Sequence, residues 1–241
     1  IFNYYYFFLN QRYVGMTYPL ASSVAILLAI TIFDAFREGR TKRFIQKAFS
    51  HYVAPDVVRQ LIQDPKALSL AGEERELTVL FCDIRGFTTL SEQMSSHDLG
   101  SFMNEFLTRM SRIIMENNGT VDKFIGDAIM AFWGAPKDDS KHAAKAARAA
   151  LEMKKELGRF QKAGRKKGHP AVYVGIGINT GLMSVGNFGS RQRFDYTVMG
   201  DNVNLGSRLE GANKNYGTTI LISEDTREMI GDRFYCRFID K

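Results

Sequence analysis

Cysteine is nearly absent from this 241-residue chain: Cys82 and Cys236 are the two copies, and no paired spacing surrounds either. That excludes a disulfide framework and a thiolate zinc cluster as organising devices, and it fits a reducing compartment. No internal repeat or low-complexity tract is present. No glycine loop follows the Walker pattern or the dinucleotide fingerprint, so a P-loop NTPase and a Rossmann enzyme are excluded as first choices.

Charge is missing from Tyr13 to Phe33. As a helix that run would span about 31 Å, roughly one hydrocarbon core. The alternative is a buried core helix, which Pro19, Ser22 and Ser23 make worth weighing over the first half. Tyrosines at one end and Arg37, Arg40, Lys42 and Arg43 at the other favour a transmembrane helix at about 13–36, with the basic end cytoplasmic. The positive charges follow the apolar run instead of preceding it, which is the wrong order for a cleaved signal. Ile1 to Leu9 is apolar but too short to span, so residues 1–36 are expected to be a membrane segment with a fragment of an earlier one ahead of it. The expected partner there is membrane lipid, and the expected location is the inner (plasma) membrane with the rest of the chain in the cytoplasm.

The net charge of +6 does not argue for nucleic acid. Much of the excess lies beside the apolar run and in GRKKG (Gly164 to Gly168), where leaflet attraction and a solvated loop account for it. Residues 37–75 read as a helical connector. Phe44 to Val53 has helix-spaced apolar residues and stops at Ala54-Pro55, and a second short helix ends at Asp64-Pro65. No sustained heptad is present.

Residues 76–241 read as the globular domain. LTVLFC is a strand, and Leu99, Phe102, Met103, Phe106, Leu107, Met110, Ile113 and Ile114 trace one helical stripe that ends at NNG. TVDKFIGDAIMAFWG reads as two strands folded at Gly126-Asp127. A long helix from about Asp139 to Gln161, a strand at Tyr173 to Asn179, a strand FDYTVMG and a helix starting near Asp201 follow. The order β-α-β-β-α-β is an α+β, ferredoxin-like (split βαβ) pattern, a sheet backed by helices on one side.

Chemistry concentrates at a few positions. Asp83 ends the first strand and Asp127 sits at the hairpin tip, and in a split βαβ sheet those elements are neighbours. Each aspartate alone is an ordinary turn-former. Together they suit Mg²⁺, which keeps waters and takes further ligands from substrate phosphates. The backbone amides of Arg85, Gly86, Phe87 and Thr88 form a candidate anion nest beside them. On a helix from Asp201, Asn204 and Arg208 share a face, an amide and a guanidinium displayed where a transferring phosphoryl group develops charge. The plainer reading of Arg208 is an ion pair with Glu210 or solvation.

The stretches LFCDIRGFTTLSE, VDKFIGDAIMAFWG, VGIGINTGLMSVGNFGS and DYTVMGDNVNLGSRLE, in that order, strongly resemble the class III nucleotidyl cyclases, specifically bacterial adenylate cyclases. AFSHYVAPDVV is similar to the segment before the catalytic domain in membrane cyclases with a CHASE2 sensor. The resemblance implies a class III cyclase catalytic domain preceded by a transmembrane helix and connector. It implies that Asp83 and Asp127, assisted by the carbonyl of Ile84, hold two Mg²⁺ or Mn²⁺ ions per site. Lys123 and Thr197 would read the adenine edge of ATP, Asn204 would orient the ribose and Arg208 would stabilise the transition state. An ammonium donor suits adenine N1, an acceptor, whereas guanine presents a donor there. The resemblance also implies a homodimer whose shared sites take metal ligands from one protomer and purine readers from the other. Gly86, Phe87 and Thr88 would meet phosphate, as would a basic residue after VGNFGS, with Arg191 and Arg193 both eligible. A further triphosphate lysine of the family is expected beyond Lys241, so the domain is expected to be truncated at its C-terminal end. The implied reaction makes 3′,5′-cyclic AMP and pyrophosphate from ATP, under control of a membrane-linked sensor. The alternatives are a noncatalytic nucleotide-binding relay domain and a polymerase-palm-like enzyme, which would also place two aspartates at such a sheet edge.

Overall fold

Strand β1 (Gly72–Ile84) organises the fold because its side chains are apolar on both faces. Leu80, Cys82 and Ile84 point to one core and Leu77, Val79 and Phe81 to the other, the period of two that a strand imposes. A strand covered on both faces belongs in the middle of a sheet. The computed structural model of the chain, which describes residues 20–33, 72–166, 170–190 and 192–240, puts it there. β1 pairs antiparallel with β3 (Ala128–Trp133) and with β4 (Val174–Gly189). The order is β2-β3-β1-β4-β5, where β2 is Thr120–Ile125 and β5 is Phe194–Met199, and β6 (Ile220–Ile222) runs parallel to β4. β1 begins four residues before Glu76, so Gly72 to Arg75 belong to the sheet and not to the connector.

The chain divides into two units, Ile1–Tyr52 and Val53–Lys241. In the first, helix α1 (20–33) is described, with exposed apolar side chains such as Leu20, Leu27 and Phe33. Among the described residues no helix is long and apolar enough to cross a membrane. At 1.5 Å per residue α1 spans only about 21 Å, so the span expected at 13–36 is not supported by it. The remainder of that span and nearly all of the expected connector lie outside the described residues.

In the second unit, α2 (Phe87–Glu92) and α3 (Ser96–Glu116) follow β1. Ser95 caps α3 by accepting from the Asp98 amide at 3.2 Å. The predicted stripe is the buried face: Phe102, Phe106, Met110, Ile113 and Ile114. These pack with Ala146, Ala149, Met153 and Phe160 of α4 (His142–Lys166), and with Leu80, Ile129 and Ile176 of the sheet. Phe160 meets the rings of Phe102 and Phe106 at 5.2 and 5.9 Å. Each such buried side chain contributes about 1.5–3 kcal/mol.

One-sided backing of the sheet does not hold. Val79, Met130, Phe132, Met183, Val185, Val198 and Val203 form a second core, on the opposite face of β1 and β3. It is covered by β5 and α5 (Asp201–Tyr216), with α6 (Glu224–Ile230) completing the unit's helices. The cause is the length of β4: its first half pairs with the end of β1, while Leu182 to Gly186 pair with Gly72 to Glu76 and continue to β5. The apolar second face needed a lid, and the chain beyond β4 supplies it.

Candidate active site

Asp83 is the penultimate residue of β1, and Ile84 closes the strand. On the neighbouring strand Ile129 lies opposite Cys82, which carries the β2–β3 turn past the end of β1. Ile125 pairs with Ala128, so Gly126 and Asp127 make a two-residue turn. Gly126 adopts a φ of 63°, which glycine alone takes without cost at that position. Asp127 thereby meets Asp83. The Asp83 carboxyl is pushed up to about 7, first by burial, then by hydrogen bonding with Asp127 and its charge, then by Glu210; the Ile84 amide, donating at 2.9 Å, opposes this. No group donates to the buried Oδ2 of Asp127. Two crowded carboxylates, one with an orphaned oxygen, fit a divalent cation, which would relieve both deficits. Among the described residues no three His, Cys, Asp or Glu side chains are grouped to hold a metal ion. As candidate ligands the two aspartates would leave positions on a cation for water and phosphate.

Lys123 and Thr197 lie on the two edge strands, β2 and β5. They meet at Asp122: the Thr197 hydroxyl donates to Oδ2, and the Lys123 ammonium stands 3.6 Å from Oδ1. Burial raises the Asp122 pKa, while the Thr197 hydrogen bond and the Lys123 charge pull it down. Among the described residues no hydrogen bond or ion pair joins this cluster to the Asp83–Asp127 pair.

Asn204 and Arg208 are exposed on one face of α5. The helix lies very close to the sheet: a Cβ on Gly177 would fall 2.2 Å from the Glu210 nitrogen, and one on Gly206 would fall 2.7 Å from Val79. Glycine at both contacts therefore sets where the two polar side chains stand. Arg208 faces Asp201 at 3.7 Å and not Glu210, and both partners are largely exposed, so the pair is weak and the guanidinium available.

The model of the adenylate and guanylate cyclase catalytic domain matches residues 71–239. The chain belongs to this family. It is 39% identical over 205 residues to adenylate cyclase 1 of Rhizobium meliloti (strain 1021), an alignment covering 85% of this chain and 30% of that protein. The alignments span 30% of that protein and 39% of the adenylate cyclase of Anabaena cylindrica, so the chain corresponds to only part of these relatives. The crystal structure of the adenylyl cyclase CyaB from P. aeruginosa superimposes with a TM-score of 0.65 at 40% identity, over 70% of this chain and 86% of that one. The guanylyl cyclase Cya2 superimposes at 0.63 and 37% identity, over 68% and 82%.

Within this cyclase domain three features depart from the sequence reading. The segment after Asp83 is not an open loop, because α2 starts at Phe87 with Gly86 as its cap at φ 68°. The Arg85 amide is committed to the Tyr173 carbonyl at 2.8 Å, so the nest of four amides shrinks to the helix start at Gly86, Phe87 and Thr88. Glu210, the alternative partner weighed for Arg208, turns inward beside β4, on the face that carries the buried Val203, Gly206 and Asn213, where it adds charge to the aspartate pair. Its spacing of three, four and seven from those residues was the signal. Asp122 was overlooked because nothing local marks it. Arg193 is exposed in the β4–β5 turn, where its amide donates to the Ser190 hydroxyl at 3.0 Å. Arg191 lies outside the described residues.

Proposed function

We propose that the chain carries the catalytic domain of an adenylate cyclase, converting ATP to 3′,5′-cyclic AMP and pyrophosphate. The observation that carries this reading is the convergence of Lys123 and Thr197, from opposite edges of the sheet, on one buried carboxylate. Adenine offers an acceptor at N1 for the ammonium and an amino donor for the threonine oxygen. Asp83 and Asp127, with the Ile84 carbonyl, would hold two Mg²⁺ or Mn²⁺ ions, which supply Lewis acidity and lower the pKa of the attacking hydroxyl when bound.

The chain's own residues account for the rest. Asn204 orients the ribose, so that its 3′-oxygen attacks the α-phosphorus in line while the bond to the β-phosphate oxygen breaks. Arg208 offsets the charge that develops there. First-turn amides at Gly86, Phe87 and Thr88, with Arg193 or Arg191, receive the phosphates. Because carboxylate pair and purine readers are separate within one chain, the working unit is a homodimer, each site combining the two sets from different protomers. Regulation is assigned to the segment before Gly72, with α1 as part of a lipid-facing membrane anchor at the inner membrane.

Incubation of the purified chain with ATP and Mn²⁺ tests the reading. Cyclic AMP formation that scales with dimer concentration supports it. Tight nucleotide binding without turnover supports the noncatalytic relay instead.

A further inference from the structure

We propose that Asp122 is a specificity-determining residue, one that fixes the Thr197 hydroxyl as a hydrogen-bond acceptor and so makes the site read the adenine edge and reject guanine. The inference rests on the purine-reading role proposed above for Lys123 and Thr197.

The backbone shows how Asp122 reaches this place. Along β2 and β3, Val121 pairs with Ala131 and Lys123 with Met130, so Asp122 is the extra residue of a β-bulge. In a regular strand, neighbours point to opposite faces; a bulge re-aims one of them. Here it lets adjacent Asp122 and Lys123 approach to 3.6 Å, with the aspartate side chain only 1% exposed and the lysine 38% exposed. The lysine keeps its reach to solvent while its neighbour is buried.

A threonine hydroxyl carries one proton and two acceptor lone pairs, and an ionised carboxylate can only accept. Once the Thr197 proton goes to Asp122 Oδ2, what remains to a ligand is acceptor capacity. The 6-amino group of adenine donates and matches it. The 6-oxo group of guanine accepts and faces lone pairs. Left to rotate, the same hydroxyl would donate to the oxo group and tolerate either base. Thr197 is itself only 7% exposed, so water does little to offer the hydroxyl another partner. A plain structural tie between β2 and β5 would need no charge, and burying a carboxylate is costly. Fixing the polarity of a reader gives that charge a use.

The test measures kcat/KM of the full chain for ATP and GTP in wild type, Asp122→Asn, Lys123→Ala, Thr197→Ser and Thr197→Val. Asparagine has the same shape and can donate to the threonine oxygen, freeing its proton. The ATP:GTP ratio should fall about tenfold to a hundredfold in Asp122→Asn, with GTP turnover rising. Thr197→Ser should keep the wild-type ratio and Thr197→Val lose it. Equal losses for both nucleotides in Asp122→Asn, with the ratio unchanged, would reduce Asp122 to a strand tie and overturn the proposal. If Lys123→Ala and Thr197→Val also leave the ratio unchanged, the purine-reading assignment itself fails. Should Asp122→Asn not fold, the two Thr197 variants decide: equal ratios in both overturn the proposal.

Discussion

Two clusters of partly buried aspartate occupy this domain, and the charges around them are opposite in sign. At the hairpin end Asp83 and Asp127 crowd each other, Glu210 adds a third negative charge, and an oxygen of Asp127 receives no donor. At the edge strands Asp122 accepts from a hydroxyl on Oδ2, and its Oδ1, which likewise receives no hydrogen bond, has the Lys123 ammonium 3.6 Å away. Burial pushes both Asp83 and Asp122 upward, but only at Asp122 do neighbouring side chains pull back. On the proposed roles, a cation from outside the chain would supply the positive charge the first cluster lacks, whereas a hydroxyl and an ammonium of the chain itself already stand at the second. The proposed metal-binding and base-reading roles fall to residues of one type because the charges around them differ.

The sharpest way to break this contrast is Asp83→Asn. It should lower cyclic AMP formation about a thousandfold, the loss expected when charge stabilisation at a reacting phosphoryl group is removed. In the same variant the metal-free protein should become more stable at pH 8, because one of two repelling charges is gone. Melting temperature in a chelator and activity in Mn²⁺ would report both, and retained turnover would sink the metal assignment.

Arg208→Ala comes next, with kcat expected to fall about a hundredfold and KM for ATP to change little, since the role proposed for the guanidinium is on charge that develops late. Steady-state kinetics check it. Gly177→Ala addresses the scaffold under that residue: with 2.2 Å to the Glu210 nitrogen there is no room for a methyl group, so α5 must shift. A loss of about 1–3 kcal/mol in urea unfolding is expected, together with a lower kcat. Unaltered kcat would show that α5 need not lie so close.

The smallest effect is a pH dependence. In the folded, cation-free protein the Asp83 carboxyl binds its proton more tightly than its ordinary value of 3.8 would, at about 7. The stabilising contribution is present below about pH 4 and is lost as pH rises through 7. Unfolding midpoints of wild type relative to Asp83→Asn should therefore decline across that interval in chelator, and saturating Mn²⁺ should abolish the decline. A difference that stays level with pH would place Asp83 away from Asp127.

Much of the scaffold was legible beforehand. The stripe from Phe102 to Ile114 announced α3, and Gly126-Asp127 announced the hairpin, because helical period and turn chemistry are local properties. The meeting of Asp83 with Asp127 and the shared exposed face of Asn204 and Arg208 followed from the same reasoning. The second core was not legible, since β1 reads as an apolar run whatever covers it. Asp122 was not legible because its bulge depends on how β2 registers with β3, and the inward turn of Glu210 because it depends on how closely α5 packs on β4.

The order of residues determined which segments would be helices and strands, and which side chains would carry charge, because spacing and backbone preference act over a few positions. It could not decide that Thr197 would find Asp122, 75 positions earlier in the chain. Only the folded sheet, with β4 extended to carry β5 and a bulge in β2, brings those two groups within hydrogen-bonding distance. A hydrogen bond works over about 3 Å, and the distance between residues far apart in sequence is set by tertiary packing alone.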